Sequence, residues 1–424
     1  MTKLYGFYVV AGLLSGMALA ENGGESDVDF AGLYGDENYV SIATGTTQPI
    51  AKAPAVASVI TASQIRAMGA RDIDQVLESV PGLHITRNDI YNPQYLFRGI
   101  SSDFNPQVLM LINGIPITNL FQGDRNLVWG GMPVEAISRI EVIRGPGSAL
   151  YGADAFAGVI NIVTKTPKEV QHNSAGARIG NFNTTDIWFT GAGKQGDLDY
   201  FASLELTKTD GSDAQITSDA QSLLDLITGT SASHAPGAVN RSAENIELRV
   251  EANYQKLRLR AGSQIRKNIG DGAGAAQALN PGNKFSSTRF NIDLTYTEEE
   301  LLDNTSIEFQ TSYFDTSQEV EGNFILYPAG STGPFLDPFG VPVFGPFPEG
   351  VIGNPEIFER HTRVGLRMEH TGINKHQISV GGGYYHGEID KITEWKNFGI
   401  NPQTGLPILP GDALVDVSDT AYVF

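Results

Sequence analysis

Asn245-Ile246-Glu247-Leu248-Arg249-Val250-Glu251-Ala252-Asn253-Tyr254 alternates without a break between apolar and polar side chains. In a β-strand successive side chains point to opposite faces. This stretch therefore has one face of Ile246, Leu248, Val250, Ala252 and Tyr254, and an opposite face of Asn245, Glu247, Arg249, Glu251 and Asn253. A soluble sandwich also alternates, but its polar face rarely carries this density of charge. An apolar outside and a charged inside at period two, over about ten residues, is the pattern of a strand in a transmembrane barrel. The same pattern recurs at Leu198, Tyr200, Ala202, Leu204 and Leu206, then at Phe290, Ile292, Leu294 and Tyr296. It appears again at Ile307, Phe309 and Tyr313, and at Val364, Leu366 and Met368. Several segments end in aromatics, as interfacial girdles require. The connections are uneven: Leu257 follows Tyr254 almost at once, whereas residues 210–242 and 327–355 form long links. Short turns at one end and long loops at the other are the asymmetry of an outer-membrane barrel.

The composition agrees with an exported chain. The protein has 424 residues, 41% of them hydrophobic, and a formal net charge of −19, which argues against a nucleic-acid partner. It contains no cysteine, which removes disulfide frameworks, thiolate zinc sites and thiol nucleophiles. Lys3, the apolar run 4–14 and Ala18-Leu19-Ala20 before Glu21 read as a signal peptide over residues 1–20. No later stretch is apolar for eighteen residues, so a membrane location requires a barrel.

Residues 21–47 begin acidic and glycine-rich and read as an extended periplasmic lead. Within them Tyr39-Val40-Ser41-Ile42-Ala43-Thr44 is a β-prone island, suited to adding a strand to a partner's sheet edge or serving as plain linker. Residues 48–167 read as a compact mixed α/β unit. A strand at 56–60 leads into a helix capped by Thr61 or Ser63 and ended by Gly69. Asp72 caps a second helix that stops at Pro81-Gly82. Short strands follow at 83–86, 94–98 and 108–112, and Asn113-Gly114 is a hairpin turn. Strands at 137–143 and 157–163 flank a turn punctuated by Gly145, Gly147 and Gly152.

Five blocks of this unit resemble the plug domain of TonB-dependent outer-membrane receptors, in the family's order. They are Ser58-Val59-Ile60-Thr61-Ala62-Ser63-Gln64-Ile65, Val76-Leu77-Glu78-Ser79-Val80-Pro81-Gly82-Leu83, Phe97-Arg98-Gly99-Ile100, and Gln107-Val108-Leu109-Met110-Leu111-Ile112-Asn113-Gly114. The last is Ile140-Glu141-Val142-Ile143-Arg144-Gly145-Pro146-Gly147-Ser148-Ala149-Leu150-Tyr151-Gly152, running on to Gly158-Val159-Ile160-Asn161-Ile162-Val163-Thr164. The resemblance implies a plug at 48–167 followed by a transmembrane β-barrel, partial in this chain, at 168–424. It implies uptake of a scarce nutrient such as a ferric siderophore, haem or a cobalamin-type chelate, powered through periplasmic TonB. It implies that the island Tyr39, Val40, Ser41, Ile42, Ala43 and Thr44 is the TonB box. It also implies that Arg98 and Arg144 pair with carboxylates of the barrel wall and hold the plug. The implied partners are TonB with its energising complex, outer-membrane lipid and the nutrient, with no nucleic acid.

Plug-apex residues Tyr91, Asn92, Gln94, Phe121 and Arg125 are expected to face the ligand, and Gly99, Gly145, Gly147 and Gly152 to form turns. No catalytic residue, metal ligand or cofactor is expected. The glycine cluster after Ile143 lacks the Lys-Ser/Thr of a phosphate loop, the seven histidines lack metal-ligand spacing, and Asp210, Asp213 and Asp219 lack the spacing of a calcium loop. The competing readings are a passive porin or adhesin barrel, and a truncated receptor fragment without function. About ten alternating strands are read in 168–424, whereas barrels that hold a plug have about 22. An open sheet edge is not tolerated in lipid. The sequence therefore predicts an incomplete barrel.

Overall fold

The computed structural model describes residues 3–14, 39–40, 42, 48–49, 56–125, 129, 131–147, 151–332, 335–336, 342–343, 345–373, 376–409 and 411–418. The mixed unit opens with β1 (Ala57–Thr61) and α1 (Ala62–Met68). Thr61 caps α1 by accepting from the Gln64 N–H, and Gln64 reaches back to the Thr61 N–H, so two orphan donors are satisfied together. Gly69 closes the helix in the left-handed conformation. Asp72 caps α2 (Ile73–Leu77), which ends before the expected Pro81-Gly82 stop. The hairpin β2 (Leu83–Arg87) and β3 (Pro93–Phe97) follows, then β4 (Val108–Ile112), β5 (Ile115–Pro116), β6 (Ile137–Arg144) and β7 (Gly158–Thr164).

Five of these strands form one sheet in the order β1-β6-β7-β4-β5. β7 runs parallel to β4 and antiparallel to β6. Every residue of β4 is buried, as in a central strand covered on both faces. Asn113 and Gly114 both have positive φ and close the β4–β5 hairpin, pairing Ile112 with Ile115. Ile60, Ile65, Val76, Met110, Ile140 and Ile160 belong to a single apolar core between this sheet and the helices.

A second sheet follows as a meander of neighbours. Its strands are β8 (Ser174–Gly180), β9 (Thr184–Gln195), β10 (Leu198–Thr209), β11 (Ala243–Tyr254), β12 (Leu257–Gly270), β13 (Lys284–Leu302), β14 (Thr305–Val320), β15 (Val351–Ile373) and β16 (His376–Lys396). Each pairs antiparallel with the next. The faces fall as the alternation demands. On β11, Ile246, Leu248, Val250 and Tyr254 are 39–48% exposed, whereas Glu247, Arg249 and Glu251 are only 2–4% exposed and turn toward the mixed unit. β15 is 23 residues long, well beyond the roughly 9–11 needed to cross a bilayer, so it projects past the apolar band. A capped helix, α3 (Ala220–Thr228), sits in the link between β10 and β11. Its cap is Asp219, one of the acids weighed for calcium, which here accepts from Ser222, Ser233 and Leu279.

The described sheet does not close. β8 lies at one edge, and at the other Lys3–Leu14, the segment expected to be a signal peptide, pairs with β16. An apolar run satisfies the open N–H and C=O groups of that edge. No described helix is long and apolar enough to cross a membrane.

Candidate functional site

The mixed unit packs against the charged face of the meander, and the contact between them is mainly polar. Glu359 on β15 is buried, and its two carboxylate oxygens accept from the backbone N–H groups of Leu120 (2.7 Å) and Phe121 (2.9 Å). His361 supports it: one ring nitrogen lies 3.4 Å from Glu359 and the other 2.9 Å from the Tyr385 hydroxyl. Arg266 on β12 donates to the carbonyls of Gly131 (2.8 Å) and Trp129 (3.3 Å), and is itself paired with Glu247. The Arg289 guanidinium lies 5.0 Å from the Trp129 ring centre. Glu205 on β10 accepts from the Glu135 N–H at 3.1 Å, and Arg178 on β8 reaches the Glu135 carboxylate at 3.2 Å. From the meander, Phe314 alone of the described residues joins the apolar core of the mixed unit. Wall side chains thus bind loop backbone, through bonds that water can replace.

Arg98 and Arg144, expected to hold the plug, take no part in its contact with the described strands. Arg144 donates to the Pro81 carbonyl within its own unit, and Arg98, with φ +51°, is exposed. Among the described residues neither pairs with a wall carboxylate. Both sit beside glycine turns, where Arg144 reaches back to Pro81 of its own unit and Arg98 is exposed. Charges on the inner faces of β8, β10, β12 and β15 take the role. Their alternation shows that they face inward, but only the packing shows which of them meet a plug loop.

The turn glycines behave as expected. Gly99, Gly145 and Gly152 have positive φ. Gly147 is required for space: a Cβ there would lie 2.6 Å from a Val159 methyl.

The coupling island is only partly described. Tyr39–Val40 pairs antiparallel with Gln48–Pro49. Ile42 is buried among Leu109, Leu111, Ile143 and Val159, and its N–H donates to Glu141 at 3.2 Å. Ser41, Ala43 and Thr44 lie outside the described residues.

At the long-loop end, a cavity of about 790 Å³ opens between the mixed unit and strands β8 to β12. Of the five apex residues named from the sequence, Tyr91 and Asn92 line it. The other three apex residues have structural positions. Gln94 is buried and donates to the Asp103 carbonyl. Phe121 is held by Glu359 on another side of the unit. Arg125 is buried beneath the hairpin, donates to the carbonyls of Asn105 and Pro93, and lies 4.8 Å from the Tyr95 ring centre. Burial pulls its guanidinium below the ordinary value. The proximity of all five residues in sequence to the apex could not separate ligand-facing from buried positions.

Beneath the cavity, Asp74 accepts from Tyr95 (2.6 Å) and Arg87 (2.7 Å). Burial first, and Asp74 second, push Tyr95 well above its ordinary value, so this hydroxyl stays a donor. Burial and the neighbouring Asp74 raise the Asp72 carboxyl to about 6. Among the described residues, no group of three or more His, Asp or Glu side chains could hold a metal.

A compact mixed unit wedged by polar bonds against the charged face of an antiparallel meander is the architecture of a plugged outer-membrane barrel. The family described as TonB-dependent Receptor Plug Domain matches residues 49–159. A vitamin B12 transporter from Vibrio vulnificus is 33% identical over 165 residues, covering 37% of this chain and 26% of that protein. The ferrienterobactin receptor of Escherichia coli is 31% identical over 247 residues, covering 51% of this chain and 32% of that protein. The fold resembles that of the ferric-catecholate import receptor Fiu from Escherichia coli, with a TM-score of 0.56 at 17% identity, over 87% of this chain and 52% of that one. The chain therefore spans about half the length of that solved receptor, and aligns with a quarter to a third of the two curated relatives. Residues 49–159 thus form a plug domain of the TonB-dependent receptors, and the described strands that follow share the fold of part of such a receptor's barrel.

Proposed function

We propose that this protein takes up a scarce nutrient of the metal-chelate class (a ferric siderophore, haem or a cobalamin-type ligand) across the bacterial outer membrane, with energy supplied through TonB. The observation that carries this reading is the polar seam between plug and wall. A plug meant only to seal a pore is better held by an apolar interface. A plug held by Glu359, Arg266 and Glu205 through its loop backbone can exchange those bonds for water and move. The cavity at the long-loop end supplies a ligand-sized space above the plug.

In this reading, residues 1–20 direct export and are removed, which frees the β16 edge that Lys3–Leu14 covers. The segment 39–44 pairs with TonB by β-addition. To do so it must leave its present contacts, the Gln48–Pro49 pairing and the Ile42 pocket. Pulling on it loads β6 directly, because Ile42 is hydrogen-bonded to Glu141 on that strand. The protein makes and breaks no covalent bond of its cargo.

The test is deletion of residues 39–44 in cells that depend on the receptor for the nutrient. Loss of uptake with retained ligand binding is the expected result. Uptake that persists after the deletion would identify a passive porin instead.

A further inference from the structure

A buried carboxylate ties the loops at the long-loop end together. Asp271, just after β12, is fully buried, and so is Asn283, just before β13. The two Asp271 oxygens accept from the Asn240 amide at 3.1 Å and from the Asn283 amide at 2.6 Å. Asn240 lies near the end of the link between β10 and β11, so the first bond joins two links. Their backbones also meet: the Asn240 N–H donates to the Gly272 carbonyl at 3.0 Å, and the Gly272 N–H to the Asn240 carbonyl at 2.8 Å. Asn283 brings in the link between β14 and β15. It donates to the Ile325 carbonyl at 2.8 Å and accepts from the Ile325 N–H at 3.0 Å. The middle of the 271–283 loop binds α3 and its cap. The Ala220 N–H donates to the Gln277 carbonyl at 2.9 Å, and the Leu279 N–H to Asp219 at 2.8 Å. Burying a carboxylate costs free energy unless its oxygens are bonded. A polar network satisfied in this way rigidifies its members and specifies one arrangement.

This knot is seated on the plug. The Ala273 N–H donates to the Asp89 carbonyl at the tip of the β2–β3 hairpin, at 2.8 Å. Gly272, with φ +66°, fits against the same tip: a Cβ there would lie 2.6 Å from the Asp89 carbonyl and 2.9 Å from the Tyr91 Cβ. The tip is itself strained. Tyr91 has φ +64°, in the left-handed region that a residue with a large side chain rarely adopts. Its ring lies between two guanidinium groups, 5.3 Å from Arg87 of the hairpin and 4.2 Å from Arg241, the neighbour of Asn240. Strain of this kind persists only where the surroundings over-determine it. Residues 88–92 contribute nothing to the plug's apolar core, so the tip is free to shift while that core stays packed.

We propose that the 271–283 loop is a coupling element, with Asp271 and Gly272 as its positioning residues. It makes three outer links one body and seats that body on the hairpin tip, so that displacing the tip loosens the whole long-loop end at once. Surface loops ordinarily move separately; these open as one cooperative unit. The inference rests on the uptake reading above only for the load that displaces the tip.

Hydrogen exchange of the receptor in outer-membrane vesicles, read by mass spectrometry, tests the coupling. Gly272→Ala sets a methyl against Asp89 and Tyr91 and leaves the side chains of the knot in place. It should speed exchange about tenfold or more at Ala273, and equally at Ala220 and Ile325, which bond to the far part of the loop. Asn283→Ala cuts the knot and keeps the seat. It should speed exchange at Ile325 and leave Ala273 slow, and it carries the test should Gly272→Ala fail to insert. A response to Gly272→Ala confined to Ala273, or no response of Ile325 to Asn283→Ala, overturns the coupling and leaves the uptake reading standing. That reading falls separately, on uptake that survives deletion of residues 39–44.

Discussion

The plug and the barrel sheet solve the same packing problem with opposite surfaces. The plug buries Ile, Val and Leu at its centre and turns its polar groups outward. The sheet turns Ile246, Leu248 and Val250 outward and buries Glu247, Arg249 and Glu251 on its inner face. Each is the stable arrangement for its surroundings. Water surrounds a plug inside a lumen, so apolar burial drives its folding. Lipid surrounds a barrel, so its apolar face gains nothing by turning inward. Where the two polar surfaces meet, the seam is made of charged side chains on loop backbone, which makes it specific and still reversible.

Substitutions that invert one surface test this contrast most severely. Ile160, fully buried on β7, should tolerate no charge: Ile160→Asp is expected to cost more than about 4 kcal/mol. Limited proteolysis should then cut the plug while leaving the barrel strands protected; equal protection of both would break the contrast. On the other surface, Leu248→Arg near the middle of β11 should cost about 2–4 kcal/mol in urea unfolding from lipid vesicles. The plug protease pattern should stay unchanged.

The seam comes next in size. Glu359→Ala removes the acceptor of two backbone N–H groups and should loosen the Ile117 to Asp124 region by about 2–3 kcal/mol. The readout is increased entry of a large antibiotic that the outer membrane normally excludes. Glu359→Gln keeps one acceptor oxygen but sets an amide NH2 against the other N–H, and should leak to an intermediate degree. Equal leakage would mean that the carboxylate's charge dominates. Within the plug, Gly147→Ala places a methyl against Val159 and should cost about 1–3 kcal/mol, seen as a lower unfolding midpoint.

The smallest effect is one of pH. The folded protein holds the Asp72 proton more tightly than the unfolded chain does, since its carboxyl is raised from 3.8 to about 6. The contribution of this group is therefore most favourable below the ordinary value and is lost as pH rises through about 6. Asp72→Asn keeps a good helix cap. It should make the unfolding midpoint less sensitive to pH between those two values, and an unchanged slope would place Asp72 in a more solvated setting than its neighbours indicate.

Much of this was legible in the residues, and the gaps have identifiable causes. The helix from Ala62 to Met68, with its Thr61 cap and Gly69 stop, and the hairpin at Asn113-Gly114 are set by neighbours a few positions apart. So is the inward direction of Glu247 and Arg249, because a two-residue period leaves no other choice once the outer face is apolar. The sequence predicts a longer α2 than forms, because Val80 keeps the helical spacing and is buried after the helix has ended. A charged residue in an apex loop is usually solvated, which is why the sequence points Arg125 at the ligand; Asn105, Pro93 and Tyr95 instead provide a buried setting for it.

By itself the sequence determined which side chains face lipid and which face inward, where the plug's strands and turns fall, and which family the chain resembles. These depend on local period, capping and motif order. Only the tertiary structure decided that Glu359 and Arg266 grip the plug, that Arg98 and Arg144 do not meet the described wall, and that Tyr91 lies between Arg87 and Arg241. Each of these is a meeting of groups separated by tens to hundreds of residues along the chain. Their distance depends on strand register and on how the plug seats against the sheet, and no local pattern encodes either.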